Sequence, residues 1–271
     1  MTTTWIREKL INNLEALKDI GVVGIKQSFE DEGVLDSDLT TMSQLCRLTD
    51  LKLSVKIGGC EAISDIYRCL DLNVNGIVAP MIESKFGLEK FVESIKNNNT
   101  HFKKSHTKFY INIESKQAYD NIDSILQSPA SKMLTGIVVG RSDFTKSYGL
   151  TKKEVICDEI CEKVYNIMSK AKDLELITLM GGNIGKSSIP FIKKLYKENL
   201  LDYIESRNVI LKLNDDNTDS LLNTMESMLD FESEWLEYKY QHYLKFAKTD
   251  LEKALAEGYS NRSKEIKNRL K

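Results

Sequence analysis

"KFYINIESKQAYDNI" (residues 108–122) alternates like a strand as far as Ile113, meets a carboxylate at Glu114 and then takes on helical spacing. About thirty residues on, "GIVVGRSDFTKS" (residues 136–147) repeats the event: an apolar run ends on a carboxylate, Asp143. A strand that becomes a helix twice in succession describes βαβ units, which build parallel sheets. Each of these two strands delivers an acid at its C-terminal end.

The same rhythm extends outward. Strand-like runs occupy 22–29, 53–59, 76–84, 108–115, 136–143, 176–182 and 203–211. Between them lie apolar residues at helical steps: Ile63, Ile66, Tyr67 and Leu70; Phe91, Val92 and Ile95; Val155, Ile160, Val164, Ile167 and Met168. Short Val- and Ile-rich strands separated by helices fit an open doubly wound sheet or a closed barrel. Polar residues at several strand ends favour the barrel, where all of those ends face one mouth. The expected class is α/β, a (β/α)8 TIM barrel over residues 1–228. Seven strands are visible; the eighth is either hidden in the first helical stretch or produced by a turn that splits "YIESRNVIL" (203–211).

From residue 229 the pattern becomes a long polar and aromatic helix, with Leu236, Tyr240, Tyr243, Ala247, Leu251 and Ala254 in one stripe. This C-terminal helical extension, 229–271, is expected to pack on its own barrel or on a neighbouring subunit, and a homo-oligomer is anticipated.

The 271 residues suit one barrel of this type, and 41% hydrophobic with 29% charged residues is ordinary for a folded soluble chain. A net charge of -2 offers no basic field for nucleic acid or anionic lipid. No run approaches the roughly 18 apolar residues of a membrane span. The N-terminus has neither an apolar core nor a small-residue cleavage site, so no signal peptide is expected. Cys46, Cys60, Cys69, Cys157 and Cys161 are odd in number and show no CxxC spacing, which suggests reduced thiols in a cytoplasm.

Glu114 and Asp143, at the ends of adjacent strands, could share a cation. Two bare carboxylates so close would repel unless neutralised, and Mg²⁺ accepts one or two carboxylates while keeping positions for other oxygens, such as those of a chelating 2-oxo acid. Alternatively, each acid caps the helix that follows it.

Four stretches together, "VKIGGCEAISDIYRCLDLNVNGIVAPMIES" (55–84), "YINIESKQAYDNIDSIL" (110–126), "GIVVGRSDFT" (136–145) and "LMGGNIGKSSIPF" (179–191), resemble the HpcH/HpaI aldolase and citrate lyase β-subunit superfamily. The resemblance runs over roughly residues 20–212. It implies a barrel of the pyruvate and phosphoenolpyruvate type, with Mg²⁺ or Mn²⁺ on Glu114 and Asp143, and making or breaking of a carbon–carbon bond beside a 2-oxo acid, with an aldehyde as partner. It also implies that Asn112 orients ligand or metal water, and that the turn Gly140, Arg141, Ser142 and Asp143 binds the acid's carboxylate. Pro80 and Met81 would shape the pocket. Where relatives place an Arg on the second strand this chain has Lys56, expected to point into the mouth toward the acids or ligand, or to pair with Glu30, Glu32 or Glu61. A catalytic His is missing: His101 and His106 precede a strand and His242 lies in the tail, so Glu30 or Glu32, or metal-bound hydroxide, would move the proton. The alternatives are a Schiff-base aldolase using Lys56, a citrate-lyase-like acyl-CoA lyase, or a non-catalytic ligand-binding barrel.

Overall fold

The computed structural model describes residues 3–30, 32, 34–97 and 106–269. Helix α1 (Thr3–Asp19) leads into β1 (Val22–Ser28), α2 (Asp36–Thr49), β2 (Lys52–Lys56), α3 (Ile63–Asp71), β3 (Gly76–Ala79) and α4 (Lys85–Asn97). The chain continues with β4 (Lys108–Ile113), α5 (Lys116–Asp120), α6 (Ile122–Leu126), β5 (Gly136–Gly140), α7 (Arg141–Ser147), α8 (Asp158–Lys172), β6 (Ile177–Gly181) and α9 (Ile189–Lys197). It ends with β7 (Tyr203–Glu205), β8 (Val209–Lys212), α10 (Asp215–Asp219), α11 (Leu221–Phe246) and α12 (Asp250–Arg269). The eight strands close into a barrel in sequence order.

Strands β1 to β7 are parallel, and their outward faces pack beneath the helices. Ile25, Val55, Ile77, Ile111, Ile137 and Met180 meet Phe91 and Ile95 of α4 and Val164 and Ile167 of α8 in one continuous core. A second, smaller cluster fills the barrel itself, with Val78, Val138, Leu179 and Ile210 at its centre. Both faces being buried explains the near-continuous apolar runs.

The eighth strand is the half of "YIESRNVIL" beyond a turn at residues 206–208. It is antiparallel to both neighbours, β7 and β1. A tight hairpin therefore replaces the last strand–helix–strand unit, with Ser206 N donating to Val209 O at 3.0 Å. Reversal carries the end of β8 to the barrel face opposite the mouth. The following helix must then run back toward the mouth; α11 has 26 residues, about 39 Å at 1.5 Å per residue, enough to traverse the barrel.

The division expected at residue 229 falls inside this helix. α11 is continuous, and Leu221, Met225 and Met228 of its first turns belong to the main core. The single long tail helix expected from the stripe is instead two helices folded on each other. The break has a local cause: Glu252 Oε2 accepts from the N–H groups of Lys248 and Thr249, and Thr249 Oγ1 accepts from Glu252 N, so the reciprocal cap starts α12. Beyond the break, Leu251 of the expected stripe is solvent-exposed.

α12 returns along α11 through a mutual contact of Ser233 and Ser263, whose hydroxyls lie 2.9 Å apart. Lys239 of α11 is buried, paired with Asp38 of α2 at 3.1 Å, and its ammonium lies 4.3 Å from the ring centre of Tyr259 in α12. Among the described residues no helix is long and apolar enough to cross a membrane.

Candidate functional site

Glu114 sits where β4 ends and is only 2% exposed. The cap of the next helix is Ser115, whose Oγ accepts from Ala118 N at 3.1 Å, so the cap explanation does not hold for Glu114. Its carboxylate instead gathers three donors: Met81 N to Oε1 at 3.1 Å, Asn112 Nδ2 to Oε2 at 2.9 Å, and Lys56 Nζ, 3.3 Å from both oxygens. Met81, whose N–H is one of these donors, has a left-handed backbone (φ 48°), a conformation that is costly for a non-glycine residue. Its side chain is exposed, so its contribution to the site is the main-chain donor.

Lys56, at the end of β2, bridges Glu114 and Glu30, the latter at 3.0 Å. Of the partners expected for it, Glu61 pairs with Lys90 and Glu32 lies with the β7–β8 turn. Burial works against the Lys56 ammonium, but Glu114 and Glu30 outweigh it and its pKa lies above the ordinary lysine value.

Glu114, Lys56, Asn112, Gly140, Ser142 and Asp143 line one cavity of about 350 Å³ at the mouth. Asp143 is 45% exposed and pairs with Lys146 at 2.8 Å; it lies in the first turn of α7, where no side chain caps the helix. Glycines let the backbone pack closely at this end. A Cβ on Gly140 would lie 2.7 Å from Glu114 Oε2, and one on Gly182 would lie 2.4 Å from Ser142 N and 2.7 Å from Arg141 N. Residue 182 can approach those two backbone nitrogens so closely only because it has no side chain.

Arg141 departs from the sequence expectation. Its side chain is fully buried and donates to the carbonyls of Gly181 (3.3 Å) and Gly182 (3.1 Å) and to Ser188 Oγ (3.0 Å). It is not part of the cavity lining, and burial lowers its pKa to about 10, still cationic at neutral pH. Its guanidinium ties α7 to the end of β6, which leaves the backbone of the turn, and not this side chain, to face a ligand. Pro80 is buried beside Met81 and, like Glu30, lies off the lining.

Glu32 is on the lining. Asn208 Nδ2 donates to both of its oxygens (3.0 and 3.2 Å), and Arg207 Nη1 lies 3.9 Å away. Burial pushes its pKa up to about 7; Arg207 and Lys239 oppose the rise, Glu232 adds to it and the Asn208 bond resists it. Glu32 is therefore a carboxyl able to exchange a proton near neutrality. His106 is exposed ahead of β4, His242 stacks on Tyr238 in α11, and His101 lies outside the described residues.

Four further lining residues were not among the expected site residues: Lys26, Glu205, Glu232 and Arg262. Lys26 pairs with Glu205 across the β1 and β7 ends. Glu232, on α11, accepts from Ser206 Oγ (2.5 Å) and Asn208 N (2.7 Å) and so pins the hairpin turn; burial raises its pKa. The alternation of β1 could have marked Lys26 as inward-facing, but the tail residues needed the reversed strand.

Among the described residues no three His, Cys, Asp or Glu side chains cluster as a metal site. The oxygen donors present are Glu114, Asp143 and Asn112 Oδ1, which is buried without a hydrogen-bond partner among those residues. Such a hard, sparse donor set fits an ion of the Mg²⁺ type, which takes few protein carboxylates. Lys56 competes for Glu114, so the two cations would share one carboxylate.

The family model for HpcH/HpaI aldolase/citrate lyase matches residues 40–179. That span includes Lys56, Glu114 and Asp143 and stops before the β7–β8 turn. None of the curated proteins compared with the chain matches it significantly in sequence. Among solved structures, an HpcH/HpaI aldolase/citrate lyase family protein from Burkholderia cenocepacia J2315 has a TM-score of 0.60 at 14% identity, covering 80% of this chain and 89% of its own. An HpcH/HpaI aldolase from Desulfitobacterium hafniense DCB-2 has 0.59 at 12%, covering 76% and 82%. A variant of the citrate synthase SbnG has 0.55 at 16%, covering 78% and 84%. At these identities the likeness is one of fold.

Proposed function

The chain belongs to the HpcH/HpaI aldolase/citrate lyase family, and on that premise we propose that it is a carbon–carbon lyase of aldolase type that splits or forms a hydroxylated 2-oxo acid. Family membership supports lyase chemistry of the aldolase or citrate lyase kind. The observation that favours a 2-oxo acid is the juxtaposition of buried Glu114 with Lys56 in the cavity that Gly140, Ser142 and Gly182 also line.

Glu114 and Asp143, with Asn112 Oδ1, would hold Mg²⁺ or Mn²⁺, which when bound supplies Lewis-acid polarisation of the substrate carbonyl. Lys56, kept charged by Glu30 and Glu114, offers a positive point charge to the substrate carboxylate and to negative charge developing on the 2-oxygen. The main-chain N–H groups at the start of α7, where Gly140 and Ser142 line the cavity, suit a carboxylate oxygen. In cleavage, Glu32 takes the proton of the 4-hydroxyl. The C3–C4 bond breaks, an aldehyde leaves with the new C=O, and the electron pair passes to the enolate of the 2-oxo acid. Return of the proton from Glu32 to C3 completes the product and restores the carboxylate. Glu30 holds Lys56 and is spent on that ion pair, which favours Glu32 for the proton step.

A lysine nucleophile needs a neutral amine, whereas two carboxylates stabilise the ammonium of Lys56, so the Schiff-base alternative is disfavoured. Calorimetric titration of oxalate, a planar mimic of the enolate, tests the site. Binding is expected only with Mg²⁺ present and is expected to vanish in Glu114→Ala; metal-independent binding, or none, would remove the metal-assisted mechanism. Borohydride trapping with pyruvate is expected to yield no adduct.

The Glu32 assignment makes a pH prediction. For cleavage of a 4-hydroxy-2-oxo acid, kcat/KM should rise with pH through an inflection near 7. Glu32→Gln should remove that inflection and lower the rate by about 10²- to 10⁴-fold, the usual worth of a positioned base. An unchanged inflection in the variant would assign the proton step elsewhere. Stability moves the opposite way: a carboxyl with a raised folded pKa stabilises the fold below its ordinary value of 4.5, and that contribution is lost as pH climbs through about 7.

A further inference from the structure

A carboxylate buried on a helix is costly unless its neighbours compensate it. Glu232 of α11 is buried, and its Oε1 accepts twice from the β7–β8 turn, from Ser206 Oγ at 2.5 Å and from Asn208 N at 2.7 Å. Asn208, also buried, passes the contact on. Its Nδ2 donates to Lys26 O at 3.0 Å and to the two oxygens of Glu32 at 3.0 and 3.2 Å. A carbonyl and a carboxylate both require a donor, so the amide fits only one way round and both of its hydrogens are used.

Glu32 lies in the loop between β1 and α2, outside any strand or helix, so its carboxyl is placed by the groups it meets, Asn208 and Arg207 of the turn. The charged groups that act on it are Arg207 from the turn and Lys239 and Glu232 from α11. Lys239 is engaged by Asp38, and Arg207 stands 3.9 Å from Glu32. Glu232 is acted on by Arg207 and by Lys26, which Glu205 pairs. Arg262 and Glu265 of α12 line the same cavity. Glu232 therefore has two separable effects. As an acceptor it fixes the turn that carries Asn208; as a like charge it disfavours a second carboxylate and holds Glu32 ready to take up a proton.

We propose that Glu232 is a positioning residue for the proton step: acting through Asn208, it holds the Glu32 carboxyl where the proton of the substrate hydroxyl is taken. The inference rests on the lyase reading above. The family match ends at residue 179, so the turn and α11, which together make this support, both lie beyond it.

The test compares full-length Glu232→Gln and Glu232→Ala, each alone and combined with Glu32→Gln, by two readouts. One is the pH profile of kcat/KM for cleavage of a 4-hydroxy-2-oxo acid. The other, independent of activity, is urea denaturation from about pH 5 to about pH 8, where the part of the pH dependence that Glu32→Gln abolishes reports the Glu32 carboxyl. Glu232→Gln keeps an acceptor for Ser206 and Asn208 and loses only the charge, so it should retain most of the plateau rate while the Glu32 inflection moves to lower pH in both readouts. Glu232→Ala loses the acceptor as well, and its plateau rate should fall by up to about 10²-fold, mostly in kcat, as misplacement of a reacting group predicts. A carboxylate that merely clamps the turn would destabilise Glu232→Ala but leave the Glu32 inflection of Glu232→Gln where it is in the native protein. That result, or a native plateau rate in Glu232→Ala, or a native protein with no inflection that Glu32→Gln removes, overturns the positioning role. Should Glu232→Ala fail to fold, the inflection of Glu232→Gln decides alone. A Glu32-dependent stability profile that shifts as expected, in a protein that cleaves no 2-oxo acid, would uphold the hold of Glu232 on Glu32 and overturn the lyase reading alone.

Discussion

Lys56→Met should lower the affinity for oxalate and reduce kcat/KM by about 10²- to 10³-fold, the scale found when one preorganised donor to a developing oxyanion is removed. The substitution keeps an unbranched side chain, one atom shorter, and removes the ammonium with its hydrogen bonds. It leaves Glu114, 2% exposed, with Met81 N and Asn112 Nδ2 but no cation. Mg²⁺ affinity should therefore rise while 2-oxo acid affinity falls, because the ammonium no longer competes for the carboxylate. This divergence is the diagnostic part of the prediction. Calorimetry with Mg²⁺ alone and then with oxalate separates the two effects; a parallel loss of both would mean that Lys56 organises Glu114 instead of contesting it.

The second large effect is on the fold. Asp38→Ala should destabilise the protein by about 3–5 kcal/mol, since it strands a buried ammonium. The side chains of Lys239 and Asp38 are 1% and 3% exposed, and Tyr243 Oη donates to Asp38 Oδ1 at 2.8 Å. Replacing both partners, Asp38→Leu with Lys239→Met, should recover most of the loss, because neither charge then needs a counter-ion. Urea denaturation of the single and double variants measures this directly. A loss for Asp38→Ala of less than about 1 kcal/mol, the range of exposed pairs, would show that water reaches the cluster. The cluster joins α2, α11 and α12, so the single variant should also loosen α12.

The barrel was legible because its strands are buried on both sides and announce themselves as Val- and Ile-rich runs. Their C-terminal limits were read too long: β2 stops at Lys56 and β3 at Ala79, yet Ile57 and Ile82 beyond them remain buried in the loops. Burial and pairing are different properties, and hydrophobic pattern reports the first. "YIESRNVIL" contained its turn in Ser206 and Asn208, both turn-forming types, but the direction of β8 depends on pairing with β1 from the other end of the chain. The Thr249 to Glu252 cap was equally visible as a Thr-x-x-Glu motif and outweighs the stripe that runs across it.

Among the residues that line the cavity, Glu114, Asn112, Lys56 and Asp143 stand at or near strand ends, where the sequence pattern could place them. The aim of Arg141 was not, because a side chain in the first turn of a helix takes its direction from whatever packs beside it, here the carbonyls of Gly181 and Gly182. Glu30 and Glu32 could not be told apart in sequence. One answers to Lys56 and the other to Asn208 and Arg207, contacts made across the barrel.

The reversed eighth strand has a kinetic consequence. β7 and β8 are joined by three residues and can pair as a local hairpin, whereas β1 has only β2 as an early partner and must wait for β8 to close its other edge. Hairpins form in microseconds, while closure between distant segments carries the entropy of the intervening loop. Assembly is thus expected to finish at the β1–β8 seam. Lys26 and Asn208 lie at that seam, where Lys26 N donates to Asn208 O at 2.7 Å and Asn208 Nδ2 donates to Lys26 O at 3.0 Å. The last hydrogen bonds to form in refolding are then the ones beside Glu32, so recovery of the compact fold should precede the settling of Glu32 in the cavity.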